Sequence, residues 1–388
     1  MPFSTQVIFD ETRNMESLVN NANTKTIELI DLSTGYKVKG KKLIISNELN
    51  ASLVRDELVC LLGPNGAGKS TLLRTIVGFQ AAIGGHVSVC GKSIEKYRSS
   101  ELSRLVSMVL TDNSGIKNMS VYDVVAMGRS PYTGFWGRIN EKDKKVIDNC
   151  LQWVGITDLK ERKMQTLSDG ERQKVMIAKA IAQETPIIVL DEPTAYLDYP
   201  SKMSMLMLLH RMAKALHKTI FLSTHDVEHA LQIADHVWLM DKKLGLVTGT
   251  PEDLCLNGRI EQYFNREGMT FDRALGAFSV QHKSSHDLVV EGDKHSIPYI
   301  LLCKALARHN IRPVDASEDR DVLIRVEANG EFTLMQFGKK TSGTQSIEKV
   351  VGDTFSLLAK TKMFKVTGGK DYSDEDDVPK ATVNYEDY

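Results

Sequence analysis

The segment GPNGAGKST, residues 63–71, constrains the fold of this chain more than any other part of the sequence, because it matches the pattern G-x-x-x-x-G-K-[ST]. The apolar run ELVCLL (57–62) precedes it, and the helical pattern STLLRTIVGF (70–79) comes after it. In a strand, glycine-rich loop and helix of this kind, backbone N–H groups surround phosphate oxygens at the start of the helix. The segment therefore predicts a strand–loop–helix unit that holds the phosphates of a nucleotide.

Two side chains of this loop have predicted roles of their own. Lys69 brings a positive charge to the β- and γ-phosphates, and Ser70 offers its hydroxyl to Mg²⁺. A chance glycine turn explains the pattern less well, because both flanking elements are of the required type. The predicted nucleotide site in this loop comprises Gly63, Pro64, Asn65, Gly66, Ala67, Gly68, Lys69, Ser70 and Thr71.

Apolar runs alternate with helical patterns as far as about residue 270. PIIVLDEP (186–193) and KTIFLSTHD (218–226) are short apolar runs that end in polar residues, as buried parallel strands do when their C-terminal ends form an active site. The alternation predicts an α/β fold for this part of the chain. Strand signals are scarce between Asp112 and Gln173, which predicts a helical insert.

The polar residues that end these two runs are the candidate catalytic groups. Asp191 is placed to hold Mg²⁺, directly or through water. Glu192 beside it can accept a proton from the attacking water as a general base, or it merely caps the next segment of the chain. His225 ends the second run, where an imidazole can contact a γ-phosphate and orient the water, although a lone histidine is more often structural.

Changes in composition divide the rest of the chain. Residues 1–24 are polar and predict a flexible leader, and the acidic residues 366–388 predict a disordered tail. Between them the patterns predict a nucleotide-binding domain over 25–275, with a helical insert at about 112–175, and a small α/β accessory domain over 285–365.

The accessory domain carries no chemical motif, and its elements are predicted from pattern alone. DLVV (287–290) is typical of a strand, and the segments 296–310 and 346–360 are typical of helices. DVLIRVEANGEFTLMQF (321–337) predicts a hairpin, with Asn329 and Gly330 forming a type I′ turn.

Composition excludes some classes of function. The chain has 49 basic and 50 acidic residues, so no broad basic surface supports nucleic-acid binding. No apolar run approaches the ~20 residues of a membrane span, and the first residues show no signal peptide. Five scattered cysteines, Cys60, Cys90, Cys150, Cys255 and Cys303, fit no metal-ligand spacing and are expected to be reduced thiols of a cytosolic protein.

A second helix start also has the features of an anion site. LSDGERQ (167–173) opens the helical pattern KVMIAKAIAQ, with Ser168 and Asp169 as favourable N-cap residues and Gly170 allowing close approach to the backbone. A phosphate loop already lies about a hundred residues earlier, so the chain carries two such helix starts.

The ordered set GPNGAGKST, LSDGERQ, LDEPTAYLD and STHD resembles the ATP-binding subunit of an ABC transporter over roughly residues 26–270. The resemblance implies an α/β P-loop ABC-type ATPase domain with a helical insert, and ATP and Mg²⁺ as ligands. It explains the second helix start, because two such domains pair head to tail in this family. Ser168, Asp169 and Gly170 would bind the γ-phosphate held by the partner, so a homodimer is expected.

The same resemblance implies which residue contacts the adenine base of ATP. Tyr36 lies where the family stacks an aromatic ring on the base, and the alternative is an ordinary strand-edge tyrosine. Base–aromatic stacking elsewhere supports the first interpretation.

The stretch MSVYDVVAMGRSPYTGFWGR (119–138) resembles importers of iron siderophores, haem and vitamin B12. It would suit a surface docked by a membrane partner, or it is a buried corner of the insert. The implied partners are polytopic membrane permease subunits, and the implied location is peripheral, on the cytoplasmic face of the inner (plasma) membrane. The alternative function is that of a soluble ABC ATPase acting on ribosomes or DNA, for which this chain lacks basic blocks and heptad runs.

One position departs from the family pattern. After the apolar run LVSMVL (105–110) the family places a glutamine that reaches Mg²⁺ and the attacking water, whereas this chain has Thr111 and then Asp112. We expect Thr111 to contact the metal through a bridging water. If the alignment is off by one, Asp112 is the metal contact instead.

Overall fold

The computed structural model describes residues 24–110, 114–134, 137–284, 286–315 and 321–360. The described residues form two compact units that divide between Val280 and Gln281. The predicted leader and the acidic tail lie outside the described residues, apart from Thr24.

The first unit contains two larger sheets and a short hairpin. Its strands, in chain order, are β1 (Lys25–Val38), β2 (Lys41–Val54), β3 (Leu58–Leu62), β4 (Gly84–Val89), β5 (Lys92–Ser93), β6 (Val106–Val109), β7 (Ile187–Leu190), β8 (Thr219–Thr224), β9 (His236–Asp241), β10 (Gly245–Gly249), β11 (Met269–Asp272) and β12 (Ala277–Val280). Six strands form a sheet in the order β10-β9-β3-β8-β7-β6, and β2-β1-β4-β5 form a second, antiparallel sheet. All pairs of the six-stranded sheet except β9–β10 are parallel.

Nine α-helices accompany these strands in the described part of the first unit. They are α1 (Lys69–Ile76), α2 (Ser99–Leu102), α3 (Val121–Ala126), α4 (Glu141–Val154), α5 (Asp169–Ala182), α6 (Tyr199–Ala215), α7 (Val227–Ile233), α8 (Pro251–Leu256) and α9 (Arg259–Phe264). The predicted strands at β3, β7 and β8 and the predicted helices at α1 and α5 are confirmed. Gly155 ends α4 with a φ of 69°, a left-handed conformation in which glycine is favoured.

The six-stranded sheet is buried on both faces. On β3, Leu58, Cys60 and Leu62 pack in one hydrophobic cluster, whereas Val59 and Leu61 pack in the cluster on the opposite face. Because neither face meets water, the strand reads as an unbroken apolar run rather than as an alternating one. At about 25 cal/mol per Å² of apolar surface, this burial contributes much of the stability that holds the loops at the strand ends in place.

A buried arginine links the helical insert to the end of α5 and to the segment between α5 and β7. Arg129 is 2% exposed, and its guanidinium donates to Asp143 of α4 (2.9 Å), to Glu184 (2.7 Å) and to the carbonyl of Ala182 at the end of α5 (2.6 Å). A Cβ at Gly128 would lie 2.3 Å from the Lys179 carbonyl oxygen, so this turn packs against α5 as closely as a backbone can. The Gly-Arg pair is thus a packed corner, and Phe135 and Trp136 of the same stretch lie outside the described residues.

We expect Arg129→Met to lower the free energy of unfolding by about 3–5 kcal/mol, because it leaves two carboxylates without their cation in a water-poor site. Denaturant unfolding followed by tryptophan fluorescence measures this loss. Arg138→Met, at an exposed arginine of the same insert, is the matched control and should cost below about 1 kcal/mol. Equal losses in the two variants would contradict a stabilising role for the buried ion cluster.

The second unit is a five-stranded sheet with two helices. Its elements are β13 (His286–Glu291), α10 (Ile297–Arg308), β14 (Ile311–Val314), β15 (Val322–Val326), β16 (Phe332–Gln336), β17 (Lys339–Thr344) and α11 (Ile347–Lys360), with the sheet order β14-β13-β15-β16-β17. Its hydrophobic cluster, which includes Leu302, Leu306, Ile324 and Val350, is separate from those of the first unit. The small α/β fold predicted for this region is therefore present.

The turn type predicted for the β15–β16 hairpin is wrong. The N–H of Glu327 donates to the carbonyl of Glu331 (2.9 Å), which leaves a three-residue loop. Gly330 has a φ of 79°, but Asn329 does not have a positive φ, and a type I′ turn requires both. The Asn329 side chain instead accepts a hydrogen bond from the N–H of Glu331 (3.0 Å), which favours the longer loop.

None of the described helices is long and apolar enough to cross a membrane.

Candidate nucleotide site

The phosphate loop comes directly after β3 and ends at the first residue of α1, as the sequence predicts. Gly68, the residue before the helix, has a φ of 105°, and a Cβ there would lie 2.7 Å from the Ile45 side chain. A Cβ at Gly63 would lie 2.2 Å from the Met240 carbonyl oxygen. Both glycines are required by the space available, and they bring the loop backbone close to its neighbours while its N–H groups remain at the helix start.

Lys69 lies inside this loop rather than in solvent. Its ammonium donates to the carbonyls of Gly63 (2.7 Å) and Pro64 (3.3 Å), and the residue is 6% exposed. Burial lowers the pKa of Lys69 below its ordinary value, while the carboxylates of Glu192 and Asp191 act in the opposite direction. The loop thus carries a fixed cation at the position where phosphate oxygens would approach.

Oxygen ligands suited to Mg²⁺ meet beside the loop. The Ser70 hydroxyl donates to Asp191 Oδ1 over 3.1 Å, and Asp191 is 7% exposed. Mg²⁺ prefers oxygen ligands and is often held by one or two protein groups together with substrate phosphates. Accordingly, Ser70 and Asp191 fit this ion, even though the described residues contain no group of three or more His, Cys, Asp or Glu that could hold a metal by itself.

A serine on the neighbouring strand joins the two candidate acids. Ser223 of β8 donates from its hydroxyl to Asp191 Oδ1 (2.7 Å) and accepts from the N–H of Glu192 (2.9 Å). Glu192 has a φ of 47°, an uncommon value for a residue with a side chain. No sequence motif predicted a role for Ser223, and its only signal was its place two residues before His225 in an apolar run.

The loop and the candidate catalytic groups share one cavity. It has a volume of about 350 Å³ and is lined by Gly63, Pro64 and Asn65, by Glu192 and His225, and by the segment 263–266. His225 Nδ1 lies 3.9 Å from Glu192 Oε1, so the two side chains face the same space. The segment 263–266, at the end of α9, was not predicted from the sequence to belong to this site.

Tyr36 lies next to the phosphate loop. Its hydroxyl is 3.0 Å from the hydroxyl of Thr71 on α1, and the residue is 39% exposed. A partly exposed ring held beside the loop is available to a planar ligand.

The second helix start is built as predicted but does not line this cavity. Ser168 caps α5, accepting from the N–H of Glu171 (3.3 Å), while the Glu171 carboxylate accepts from the N–H of Ser168 (2.8 Å). Asp169 is 61% exposed on its side chain, and a Cβ at Gly170 would lie 3.7 Å from Leu197. None of the three predicted residues, Ser168, Asp169 and Gly170, is among those that line the cavity.

Thr111 and Asp112, the two alternatives for the missing glutamine, lie outside the described residues. Val109, the last residue of β6, accepts a hydrogen bond from the N–H of Asp191 (2.9 Å), so the strand that leads to them runs beside the candidate metal ligand.

The fold and the site together define a P-loop nucleoside triphosphatase: a parallel sheet with a phosphate loop after β3 and an Asp-Glu pair after β7. A family model described as ABC transporter matches residues 46–195. Together with a Methanocaldococcus jannaschii relative matched over 86% of its own length, this family model shows that the chain belongs to the family of ABC transporter ATP-binding proteins. It binds nucleotide and is an ATPase coupled to transport.

Relatives match this chain over most of their own length. An ABC transporter ATP-binding protein of Methanocaldococcus jannaschii is 36% identical over 252 residues, which is 65% of this chain and 86% of that protein. The iron(3+)-hydroxamate import ATP-binding protein of Bacillus subtilis is 32% identical and covers 60% of this chain and 85% of its own length. Other relatives are named for ferric enterobactin transport and for cobalamin import. Among solved structures, CbiO1 of Clostridium perfringens, part of the ABC transporter complex CbiONQ, is 27% identical with a TM-score of 0.55 and covers 62% of this chain and 94% of that one.

Proposed function

We propose that this protein is the ATP-hydrolysing subunit of an importer of metal chelates, with iron siderophores, haem or cobalamin as the substrate class. The observation that carries the hydrolytic part is the single cavity that joins the phosphate loop to Glu192 and His225. The names of relatives matched over most of their length support the substrate class.

The first step is the binding of ATP. Backbone N–H groups of residues 63–71 surround the phosphates, and Lys69 exchanges its carbonyl partners for phosphate oxygens. Ser70 and Asp191 would hold Mg²⁺, and this ion would supply positive charge to the phosphate oxygens of the nucleotide. The ring of Tyr36 stacks on adenine.

In the hydrolytic step Glu192 acts as the general base. Its carboxylate accepts a proton from the water that attacks the γ-phosphorus, and His225 orients that water and the γ-phosphate. The bond between the γ-phosphorus and the oxygen that bridges to the β-phosphate breaks, so ADP leaves and inorganic phosphate is released. The 3.9 Å between His225 Nδ1 and Glu192 Oε1 leaves the two groups facing one reacting centre.

The site is completed by a second copy of the chain. Ser168, Asp169 and Gly170 start a helix whose N–H groups attract an anion, and none of them lines the cavity of its own chain. A head-to-tail dimer would bring these residues of one copy to the γ-phosphate held by the other. Two polytopic permease subunits would carry the substrate path, with this protein peripheral on the cytoplasmic face of the plasma membrane.

Reconstitution with its permease tests this function. A tagged copy would be purified from detergent-solubilised membranes of its own cells, and the co-purifying polytopic protein identified and reconstituted with it in vesicles. We expect ATP-dependent uptake of a ferric hydroxamate, haem or cobalamin, abolished by Glu192→Gln. Co-purification with ribosomes or DNA, without any polytopic protein, would overturn the proposal.

The second unit is proposed to be an accessory domain that hydrolysis does not need. Its separate hydrophobic cluster indicates that each unit folds by itself. A chain that ends at Val280 is expected to remain folded and to hydrolyse ATP at a rate within about twofold of the whole chain, measured by phosphate release.

A chain that ends at Phe264 is the control for this truncation. It also lacks Phe271 and Phe278, which pack against the core of the first unit, so it is expected to lose stability. If the chain ending at Val280 is inactive or insoluble, the second unit belongs to the catalytic fold.

A further inference from the structure

We propose that Ser223 is the positioning residue that sets the geometry of both acids, Asp191 and Glu192. The inference rests on the proposed function, because it assumes that Glu192 is the base. Ser223 is 0% exposed. Its hydroxyl forms hydrogen bonds with two consecutive residues, Asp191 and Glu192, which come directly after the neighbouring strand β7.

The two hydrogen bonds act on different groups. By accepting from the N–H of Glu192, Ser223 holds the peptide that carries the candidate base at its left-handed φ of 47°. A conformation of this kind costs free energy and persists only where the surroundings hold it. By donating to Asp191 Oδ1, the same hydroxyl fixes the carboxylate against Ser70, which approaches that oxygen from the phosphate loop.

Strand order explains why a residue of β8 does this. β8 lies between β3, which leads into the phosphate loop, and β7, which leads into Asp191. Leu190 pairs with Leu222, so the next residue of each strand brings Ser223 beside Asp191. One buried hydroxyl thus fixes the positions of the candidate metal ligand and of the candidate base beside the phosphate loop.

Ser223→Ala removes both hydrogen bonds and almost no volume. We expect kcat for ATP hydrolysis to fall about tenfold to a hundredfold, the range for residues that orient metal ligands. The Mg²⁺ concentration for half-maximal activity should rise, while the affinity for ATP measured without Mg²⁺ should be unchanged. Ser223→Thr keeps the hydroxyl and should recover most of the activity.

Ser107→Ala is the matched control. Ser107 is a 2% exposed serine of β6 in the same sheet, and its hydroxyl accepts from Thr185 (3.0 Å) away from the cavity. If Ser107→Ala lowers kcat and shifts the Mg²⁺ dependence as much as Ser223→Ala, the effect is one of general packing and the inference is overturned. A wild-type kcat in Ser223→Ala also overturns it, provided that Glu192→Gln is inactive.

Combining the two substitutions separates this inference from the proposed function. In a Glu192→Gln background, Ser223→Ala should lower hydrolysis less than it does in the wild type, because the part of its effect that acts through the base is already lost, whereas the part that acts through Asp191 remains. If Glu192→Gln alone hydrolyses ATP at the wild-type rate, the assignment of Glu192 as the base is wrong, and with it the proposed hydrolytic step, whatever the effect of Ser223→Ala.

A second inference, which also rests on the proposed binding of ATP, comes from the segment 263–266, which lines the cavity together with part of the phosphate loop. We infer that Arg266 contacts the terminal phosphate of the bound nucleoside triphosphate. Arg266 is exposed and lines the cavity. Its guanidinium forms no hydrogen bond or ion pair with any residue that the structure describes. Tyr263 anchors the segment, because it is buried and its hydroxyl donates to the Leu244 carbonyl (3.2 Å).

Charge favours this contact. The negative charges of a bound nucleoside triphosphate would lie near the Glu192 carboxylate, and an arginine that lines the same cavity would compensate them through charge-assisted hydrogen bonds. ADP, which lacks the terminal phosphate, would not be reached in this way. Arg266 therefore favours ATP over ADP.

Nucleotide affinities test the inference. In the Glu192→Gln background, Arg266→Ala should weaken ATP binding about tenfold and change ADP binding less than about twofold. Arg259→Ala is the control, since Arg259 begins α9, the helix just before Arg266, donates to Gln262 and does not line the cavity. Unchanged ATP affinity, or an equal loss for ADP and ATP, would overturn the assignment.

Discussion

Glu192→Gln is expected to lower the rate of ATP hydrolysis by about 10²–10⁴-fold while ATP binding stays intact. The amide has nearly the same shape as the carboxylate. The hydrogen bond from the backbone N–H of residue 192 to the Ser223 hydroxyl is therefore kept. It cannot accept a proton from water, however, and the attacking water stays neutral. Because ATP is no longer consumed, the variant should accumulate as an ATP-bound dimer.

Two measurements check this outcome. Phosphate release under saturating ATP gives the rate, and light scattering after size-exclusion chromatography with and without ATP gives the mass. Glu161→Gln, at an exposed carboxylate of the same unit, is the control and should behave as the wild type. Hydrolysis at the wild-type rate by Glu192→Gln would remove Glu192 as the base.

Ser168→Arg is expected to abolish hydrolysis through the dimer rather than through nucleotide binding. The long cationic side chain would stand at a helix start that has to approach the partner's γ-phosphate, and it would fill that space. The ATP affinity of the monomer should not change, because Ser168 does not line its own cavity. In the Glu192→Gln background the ATP-dependent dimer should disappear.

Ser168→Arg also removes the N-cap hydrogen bond of α5, so its control is a variant that loses an equivalent cap at another helix. Ser120 caps α3 with the same pattern, accepting from the N–H of Asp123 (3.1 Å), so Ser120→Arg loses an equivalent bond of about 1 kcal/mol. It should still dimerise and hydrolyse ATP. A Ser168→Arg protein that hydrolyses ATP as a monomer would exclude the shared site.

The parts of the site that lie within one local pattern were predictable from the sequence. The loop 63–71 and the pair Asp191 and Glu192 each come after a buried apolar run, and parallel strands bring their C-terminal ends to one edge. Ser223 was missed because its role depends on which strands are neighbours, and nothing in the run around it records that β8 pairs with β7.

Other features escaped prediction for physical reasons. The strand β2 (Lys41–Val54) carries many polar and exposed residues, so its sequence lacks the apolar signal, and it is held by long antiparallel pairing with β1 instead. The segment 263–266, at the end of α9, lines the same cavity as residues 63–65 of the phosphate loop, which lie about two hundred positions earlier in the sequence. Local periodicity contains no information on such distant contacts.

The buried cluster of Arg129 bears on how proteins of this kind can diverge or be recombined. The arginine belongs to the insert, as does Asp143, but Glu184 lies beyond α5 on the chain that enters β7. A helical insert exchanged with that of a relative would therefore carry its arginine into a host that must already hold the matching acid. Chimeric proteins should tolerate the exchange only when the host already has an acid at position 184 or when residue 184 is transferred with the insert, so this single carboxylate limits which inserts and hosts are compatible.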